Sequence, residues 1–495
     1  MNCQTCISVS VILIAILITY LAHLARNDSL TEAGNSFAAH VSCTILFGTD
    51  RDLNTAKQAE FVFPPIIYGR RFNIDKESRC VTASFVLRQD VSTTYCFTSE
   101  RLGCSRQGTH TSDTYEDRLQ HAKVIEKSRK IKWPMGEIID TTKLQSEESC
   151  LAKVAYSHFE GDTQGLHSRA LLIVQDNEII YEKYRKGWNH MTRLHGWSMT
   201  KSLLNALIGI RIQQGKLTLE TTLGSLLPIH MKVHLDNTEL TIMDLLCMID
   251  GFDFDEIYQP GSGTVSMLFE SPSLIQYGKN IGQRRNEKNG QGKGCFQYSS
   301  LTSNYLSAAL KGTFDTQEEY LNFPTKFLFE PLGMNTALIE TDSEGIFIAS
   351  SFSWMTARDW ARIGMLFGND GIWENKRILP IGWVDMSRSP TATTRNTYGM
   401  HFWLGGLKDS ETKEDDRCDL IYPERIKKRN ALRFGFPKGT MLMKGFEDQI
   451  VAIHPEKKSI IVRLGATKPV VIKWNEEKFY KDLYKCLDDD VKKHT

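Results

Sequence analysis

Residues 195–209 read HGWSMTKSLLNALIG, and this stretch decides how the chain folds. Apolar residues recur at helical spacing through its second half, which predicts a helix that starts at Ser198 and stops at Gly215. On that helix Ser198 and Lys201 are three residues apart and point to the same side. A buried amine one turn from a serine can take the hydroxyl proton, because burial lowers the pKa of the amine.

The S-x-x-K spacing occurs twice in the chain. The second copy, Ser410 to Lys413, lies in a charged run that is typical of a solvated loop. The ordinary meaning of such a pair is a helix-capping serine and a surface lysine. Ser198 differs in its setting, because a glycine and Trp197 precede it and a strongly apolar helix follows. We therefore predict Ser198 as a nucleophile and Lys201 as its base.

Composition limits the function. The chain has 495 residues and a formal net charge of +1, so it is long enough for two or more domains and has no electrostatic reason to bind nucleic acid. Its cysteines show no zinc-ligand spacing beyond the leading region. We predict neither a metal nor a cofactor, and a small-molecule amide or ester as the partner.

The N-terminus is almost continuously apolar from Ile7 to Leu24, about the lower length of a membrane-spanning helix. Residues 1–25 are therefore predicted to be a membrane anchor or a cleaved signal segment. No Lys or Arg precedes the apolar run and no small-x-small cleavage site follows it, which favours the anchor. Both alternatives predict a membrane-anchored or secreted protein with an extracytoplasmic catalytic domain, in a periplasmic, luminal or extracellular space.

Residues 26–110 are predicted to form a small strand-rich domain, residues 111–150 a linker and lead-in, and residues 151–490 the catalytic domain. Cys80 and Cys96 flank two β-rich runs separated by a polar turn at 88–92. A hairpin of that kind would bring the two cysteines within disulfide reach. In a reducing compartment the alternative is a set of free buried thiols.

The catalytic region begins and ends with strands and is helical in the middle. A hairpin is predicted at 169–184, helices around 240–249, 304–310 and 356–367, and a second hairpin at 449–464. The natural packing is an antiparallel sheet built from both ends of the region and flanked by helices, with a mostly helical subdomain. The predicted class is α+β.

Several blocks carry a family resemblance, in an order and spacing that make it specific: GWSMTKS at 196–202, FQYSS at 296–300, ARDWARIG at 357–364 and YGMHFW at 398–403. The chain resembles the serine β-lactamase and penicillin-binding superfamily, in its class C-like, β-lactamase-related branch, and is most similar there to 6-aminohexanoate-dimer hydrolases. The resemblance implies a β-lactamase/transpeptidase-like fold and hydrolysis through an acyl-enzyme.

The same resemblance implies roles for further residues. Tyr298 shares the proton transfers with Lys201, and the backbone N–H groups of Ser198 and Phe446, beside Gly445, hold the oxyanion. Neutral Lys201 and a Tyr298 phenolate remain alternative proton acceptors. In the leading domain, the frame from Cys43 to LGC at 102–104 resembles the lead-in of bacterial members, and we predict that Cys43 pairs with Cys104 and Cys80 with Cys96.

One motif departs from the family. The strand that lines the site commonly carries K-T-G or G-H-x-G-Q, whereas residues 445–449 read GFEDQ. If Glu447 or Asp448 faced the pocket, its charge would raise the pKa of Lys201 and repel anionic substrates such as penicillins. Esters or neutral amides are therefore expected to be better substrates than β-lactams.

The predicted function is that of a serine hydrolase for amide or ester bonds. One alternative is a catalytically impaired scaffold or binding protein of the same fold, favoured by the altered motif, and another is a D-alanyl-peptide carboxypeptidase-like cell-wall enzyme. The chain contains no G-x-S-x-G elbow, and His195 is expected to pack beside the site rather than to act as a base. The loops Asp253–Glu270 and Asn280–Gly294 are predicted to shape the pocket.

Overall fold

The computed structural model describes residues 19, 26–49, 51–54, 69–106, 124–162, 165–227, 239–259, 261–279, 281–282, 285–286, 290–394, 396–406, 418, 435–467 and 474–494. Its helices are, in chain order, α1 Asp28–Cys43, α2 Cys150–Tyr156, α3 Thr200–Gln213, α4 Leu223–Leu226, α5 Ile242–Leu246, α6 Gly263–Val265, α7 Leu274–Gly278, α8 Ser300–Lys311, α9 Gln317–Pro324, α10 Glu330–Leu332, α11 Ala357–Gly368, α12 Trp383–Ser387 and α13 Glu476–His494. Its strands are β1 Arg70–Asp75, β2 Cys80–Phe85, β3 Arg88–Ser99, β4 Gly103–Arg106, β5 Ser168–Gln175, β6 Glu178–Tyr184, β7 Leu194–His195, β8 Arg285–Asn286, β9 Gly290–Gln291, β10 Leu338–Ile339, β11 Ser353–Met355, β12 Ile372–Trp373, β13 Lys376–Arg377, β14 Trp403–Leu404, β15 Met441–Gly445, β16 Gln449–His454 and β17 Ser459–Gly465.

The leading segment is a helix packed on a sheet. Strands β1 to β4 pair antiparallel in sequence order, and α1 lies across them. Asn27 caps the helix by accepting a hydrogen bond from the Leu30 N–H at 3.0 Å. Ala38 and Ala39 are fully buried against the sheet, and such small side chains let the helix lie close to it. A strand-rich segment and the strands around Cys80 and Cys96 were predicted from the sequence, whereas β1, β4 and α1 were not.

Both predicted disulfides of the leading segment are confirmed. Cys43 at the end of α1 is bonded to Cys104 in β4, and Cys80 is bonded to Cys96, which lies directly opposite it across β2 and β3. The predicted position of the turn is wrong. Residues 88–92 belong to the start of β3, and the chain turns at residues 86–87 instead, because Phe85 pairs with Arg88 through a register shift.

Two further disulfides were not predicted. Cys150 at the start of α2 is bonded to Cys486 in α13, and Cys295 is bonded to Cys418. Cys247 is a free, buried thiol. Four disulfides within the described residues are typical of a protein that folds in an oxidising compartment, which agrees with the extracytoplasmic location predicted from the sequence.

The predicted membrane-spanning segment requires a correction. Among the helices that the structure describes, none is both long enough and apolar enough to cross a bilayer. The longest, α13, spans 19 residues but is rich in Lys, Asp and Glu. Apart from Thr19, the stretch from Ile7 to Leu24 lies outside the described residues.

The catalytic region is built on a six-stranded antiparallel sheet in the order β14-β15-β16-β17-β5-β6. Strands from the two ends of the region meet in the middle, where β17 pairs with β5 from Ser459 opposite Gln175 to Gly465 opposite Ser168. Every residue of β16 and β17 is buried. The sheet assembled from both chain ends was predicted, and the α+β class of the β-lactamase/transpeptidase-like fold is confirmed.

Helices cover both faces of this sheet. On one face α11 approaches so closely that a Cβ on Gly364 would lie 2.9 Å from a methyl group of Ile460. On the other face α2 and α13 pack over β5, β16 and β17 through Leu151 and Leu483. Helices α3 and α8 pack together within the main core, through residues such as Leu203 and Leu301. Helix α3, which follows Ser198, is therefore packed against buried side chains of the main core.

The leading segment is joined to the catalytic region through a buried carboxylate, that of Glu340 after β10. It lies 2.7 Å from His40 Nε2 and accepts from the Cys104 N–H at 3.1 Å and from Trp354 Nε1 at 3.3 Å; Thr44 Oγ1 also donates to it. A charge without solvent is tolerated only when it is fully hydrogen-bonded. The domain boundaries around residues 111–150 stay predictions, since 107–123 lie outside the described residues.

Candidate active site

Ser198 lies in a short turn that precedes the serine helix. The turn spans Trp197–Met199, and α3 begins at Thr200, two residues later than predicted. Trp197 adopts a φ of 48°, a left-handed conformation that a bulky side chain rarely occupies and that surrounding contacts must hold. The turn leaves Ser198 partly exposed while Trp197 and Met199 are buried. The Ser198 hydroxyl therefore lies at the surface of the buried core.

Lys201 is the side chain that α3 brings to Ser198. Its Nζ donates to Ser198 Oγ at 3.2 Å, to Ser300 Oγ at 3.0 Å and to the carbonyl of Ser350 at 2.9 Å. The residue is only 1% exposed. Burial lowers the pKa of Lys201 to about 8, and the nearby charge of Glu256 opposes that shift. A substantial fraction of the amine is therefore uncharged at mildly alkaline pH and can accept a proton.

Tyr298 lies against the Lys201 amine. Its ring centroid is 4.8 Å from Lys201 Nζ. Burial raises the pKa of the Tyr298 phenol well above its ordinary value, and a hydrogen-bonding interaction with Ser198 opposes part of that rise. Helix α8 begins two residues later at Ser300, with Ser299 as its N-cap. The structure thus brings Ser198, Lys201 and Tyr298 together, with the phenol protonated over the ordinary pH range.

Two residues of the loop Asp253–Glu270 complete the polar cluster, and sequence reasoning missed both. Glu256 accepts hydrogen bonds from the Ser300 hydroxyl at 2.6 Å and the Ser300 N–H at 2.7 Å. The buried hydroxyl of Tyr258 has no hydrogen bond of ordinary geometry within the described residues. Burial raises the pKa of the Tyr258 phenol, and the hydroxyls of Ser351, Ser198 and Ser300 oppose part of that rise. The loop was predicted to shape the pocket, and the E-x-Y pattern within it was the available signal.

The third motif reaches the nucleophile through a close approach of two backbones. Strand β15 ends at Gly445, where a Cβ would lie 2.3 Å from the carbonyl oxygen of Gly196. Only glycine fits there. The ring of Phe446, the next residue, lies 5.3 Å from that of Trp197. Gly445 and Phe446 therefore lie beside the turn of Ser198, and their role at the oxyanion stays a prediction.

Glu447 and Asp448 do not act on Lys201 as the sequence suggested. Both adopt left-handed φ values, 61° and 59°. Glu447 Oε2 accepts a hydrogen bond from Trp197 Nε1 at 3.4 Å, and Asp448 Oδ2 accepts one from Trp474 Nε1 at 2.9 Å. The carboxylate that raises the pKa of Lys201 is instead Glu256.

Arg463 supports the turn that carries these two acids. Its guanidinium is fully buried and donates to the carbonyls of Glu447 at 3.2 Å and Asp448 at 2.9 Å. These bonds satisfy the carbonyls of the left-handed turn, so they help to hold an uncommon backbone conformation. The part of the third motif in which an acid replaces the usual glycine is thereby kept in a defined shape.

His195 packs beside the site, as predicted. Its imidazole is stacked between Trp197, at 4.1 Å, and Trp354, at 4.4 Å. Its Nε2 lies 3.0 Å from the carbonyl oxygen of Ser351. Within the part of the chain that the structure describes, no group of three or more His, Cys, Asp or Glu side chains could hold a metal ion.

An S-x-x-K turn at the end of a strand of an antiparallel sheet, with a tyrosine that precedes a neighbouring helix, defines the class of serine β-lactamases and penicillin-binding proteins. The family model described as Beta-lactamase matches residues 153–470, more than half of the chain. The chain belongs to the Beta-lactamase family.

Individual relatives agree with this assignment. The chain is 23% identical over 314 residues to a 6-aminohexanoate-dimer hydrolase of Paenarthrobacter ureafaciens, which covers 60% of this chain and 72% of the relative. A Bacillus anthracis structure provisionally named a 6-aminohexanoate-dimer hydrolase superposes with a TM-score of 0.52 and 16% identity, over 68% of this chain and 82% of that one. A Bacteroides dorei structure provisionally named a β-lactamase reaches 0.49 and 13%, over 71% and 100%. At 16% identity the Bacillus anthracis structure bears on the fold alone.

Proposed function

We propose that this protein is a serine hydrolase that cleaves a small-molecule ester or amide through an acyl-enzyme on Ser198. The observation that carries the proposal is the 3.2 Å contact between Ser198 Oγ and the amine of a buried Lys201. A serine needs a base to become a nucleophile, and a desolvated lysine is such a base near neutral pH. Membership of a family of serine hydrolases supports the same reaction class.

In the first step, Ser198 Oγ forms a bond to the substrate carbonyl carbon while its proton passes to neutral Lys201. The oxyanion is held by the N–H groups of Ser198 and Phe446, the latter placed by the close approach of Gly445. When the tetrahedral intermediate collapses, the bond to the leaving alcohol or amine breaks and Tyr298 supplies its proton. The raised pKa of Tyr298 suits it to donate rather than to start as a phenolate.

The proton then returns from the Lys201 ammonium to the Tyr298 oxygen, which restores both groups. A water molecule attacks the acyl-enzyme by the reverse of these transfers, and the carboxylic acid leaves Ser198. Ser300 links Lys201 to Glu256 through hydrogen bonds of 3.0 Å and 2.6 Å. The negative charge of Glu256 therefore stabilises the ammonium form of Lys201 between the two proton transfers.

The third motif, which differs from that of the family, favours an alternative function: a binding protein that has kept the fold. Labelling with a fluorophosphonate probe and hydrolysis of p-nitrophenyl acetate separate the two. We expect the wild type to be labelled and active. Ser198→Ala should be unlabelled, with a rate of hydrolysis lower by about three or more orders of magnitude. Ser410→Ala, in the second S-x-x-K copy, is the control and should match the wild type. Equal labelling and turnover in Ser198→Ala would disprove the assignment, and an unlabelled, inactive wild type would support the binding protein.

A further inference from the structure

Two aromatic walls meet at Ser198. The first consists of Tyr258 and Phe446, whose rings are stacked with centroids 4.9 Å apart and planes 18° apart. The second consists of Tyr298 and Trp403, stacked at 5.1 Å and 30°. The first wall contacts Trp197, the residue before Ser198, through Phe446 at 5.3 Å. In the second wall the ring of Tyr298 lies 4.8 Å from Lys201 Nζ, which donates to Ser198 Oγ.

Each wall is held in place by a buried ring that contacts it edge-on. Trp197 supports the first wall, with its ring at 88° to Tyr258 and 76° to Phe446. Tyr398 supports the second, at 86° to Tyr298 and 81° to Trp403. Edge-to-face contacts of this kind fix the orientation of a ring as well as bury it. The walls are therefore preorganised.

The outer rings of the two walls are not closed into the core. Phe446, Trp403, Tyr258 and Tyr298 are each only partly buried, whereas Trp197 and Tyr398 are buried. Partly exposed aromatic surface on two sides of a nucleophile favours a ligand that brings apolar area of its own, because that area is removed from water on binding. Trp403 stands on the short strand β14 and Phe446 follows β15, so paired strands position one ring of each wall.

Besides Lys201, the described residues place two carboxylates near the cleft, and their negative charge acts against an anionic ligand. The carboxylate of Glu256 lies behind Ser300, and that of Glu447 lies against Trp197. The faces of aromatic rings are also electronegative. A carboxylate placed between the walls would lose its hydration without gaining a compensating partner from them.

We infer that the substrate is an uncharged ester or amide whose acyl group is apolar and lies between the Tyr258–Phe446 and Tyr298–Trp403 walls. This inference rests on the proposed function, since it concerns the same acyl-enzyme. It adds a substrate class, and it identifies Trp403 and Phe446 as specificity-determining side chains.

The test measures kcat/KM for p-nitrophenyl acetate, butyrate, hexanoate and octanoate. A fully buried methylene is worth about a fourfold gain, so we expect the octanoate-to-acetate ratio in the wild type to exceed about tenfold even with partial burial. Trp403→Ala and Phe446→Ala should each lower that ratio by about tenfold. Trp403→Leu, which keeps an apolar side chain, should retain more of it than Trp403→Gln. Phe327→Ala, at a surface aromatic that is 37% exposed, is the control and should leave the ratio unchanged.

A second arm varies charge at constant length, with p-nitrophenyl esters of hexanoate, 6-aminohexanoate and adipate. We expect the neutral ester to be preferred over both charged ones by about tenfold or more. A preference for the cationic ester would mean that the walls recognise charge through their ring faces, and a preference for the anionic ester would mean that an unrecognised cation governs binding. Either result would overturn the inference.

The two proposals fail differently. If no ester is hydrolysed and Ser198 is not labelled by the fluorophosphonate probe, the proposed function itself is wrong. If turnover depends on Ser198 but the chain-length ratio is flat, or is the same in Trp403→Ala and Phe446→Ala as in the wild type, the function stands and the aromatic cleft does not select the acyl group. Probe labelling of each variant shows that its nucleophile turn has folded.

Discussion

The carboxylate of Glu340 lies 2.7 Å from Nε2 of His40, although the two residues are 300 positions apart in the chain. Both are buried, with side-chain exposures of 0% and 1%. The contact joins α1 of the leading segment to the core of the catalytic region. Trp354 also donates to Glu340 and stacks on His195. His195 in turn stacks on Trp197, which lies next to the nucleophile.

Glu340→Ala is expected to destabilise the protein by about 3–5 kcal/mol, because it leaves His40, Trp354 and the Cys104 N–H without their buried partner. Glu32→Ala, which removes the more exposed ion pair with Arg106, is the control and should cost less than about 1 kcal/mol. Urea unfolding of both variants measures the difference. Equal costs would mean that the buried carboxylate does not join the two parts of the chain.

Gly445→Ala is expected to lower kcat/KM by about a hundredfold or more. The added methyl group would lie 2.3 Å from the Gly196 carbonyl, so the end of β15 must move away from the turn of Ser198 and disturb the proposed oxyanion site. Gly368→Ala is the matched control, since a Cβ there would meet its nearest atom at an ordinary 3.4 Å. Ester hydrolysis and circular dichroism are measured together. A fully active Gly445→Ala would show that the close approach has no catalytic role.

Activity is expected to rise with pH through a limb near pH 8, because the working form of Lys201 is the neutral amine and its pKa is lowered to about 8. Glu256 raises that pKa, so Glu256→Gln should move the limb to lower pH. Asp448→Asn should leave it in place, since that carboxylate contacts Trp474. The measurement is kcat/KM for an ester between pH 5 and 10 in all three proteins. A limb that Glu256→Gln leaves unmoved would exclude Glu256 as the charge acting on Lys201.

Peptide mapping without reduction should recover four pairs, Cys43–Cys104, Cys80–Cys96, Cys150–Cys486 and Cys295–Cys418. Cys247 should react with a thiol reagent only after denaturation, because it is buried. The double variant Cys150→Ser, Cys486→Ser should lose about 2–5 kcal/mol of stability, the usual cost of removing a native disulfide. Free thiols at these eight positions in native protein would contradict both the pairing and the oxidising compartment.

The parts of the site that were predictable depend on local spacing or on an ordered set of blocks. Ser198 and Lys201 meet because helical geometry joins residues three apart, and Tyr298 belongs to a block in the expected order. Glu256 and Tyr258 reach the site from a loop, and no local periodicity indicates where a loop side chain will point. The directions of Glu447 and Asp448 depend on a left-handed turn that their side chains do not signal.

In the fold, strands with strong apolar patterns were predicted, whereas features that depend on contacts between distant parts of the chain were not. The helix Asp28–Cys43 was missed because most of its buried residues are small, such as Ala38 and Ala39, and give a weak apolar pattern. The pairing of Cys150 with Cys486 was also missed, since connectivity cannot be deduced from cysteine positions alone. Both features depend on contacts with distant parts of the chain.

The bond between Cys150 and Cys486 spans a sequence separation of 336 and joins the first helix of the catalytic region to the last. It therefore turns that region into a covalent ring. Tension applied between residues before Cys150 and residues after Cys486 would pass directly through the sulfur atoms and bypass the hydrogen-bonded strands. Pulled from its two ends in a single-molecule experiment, the oxidised catalytic region should not lengthen, and only after reduction should the sheet extend.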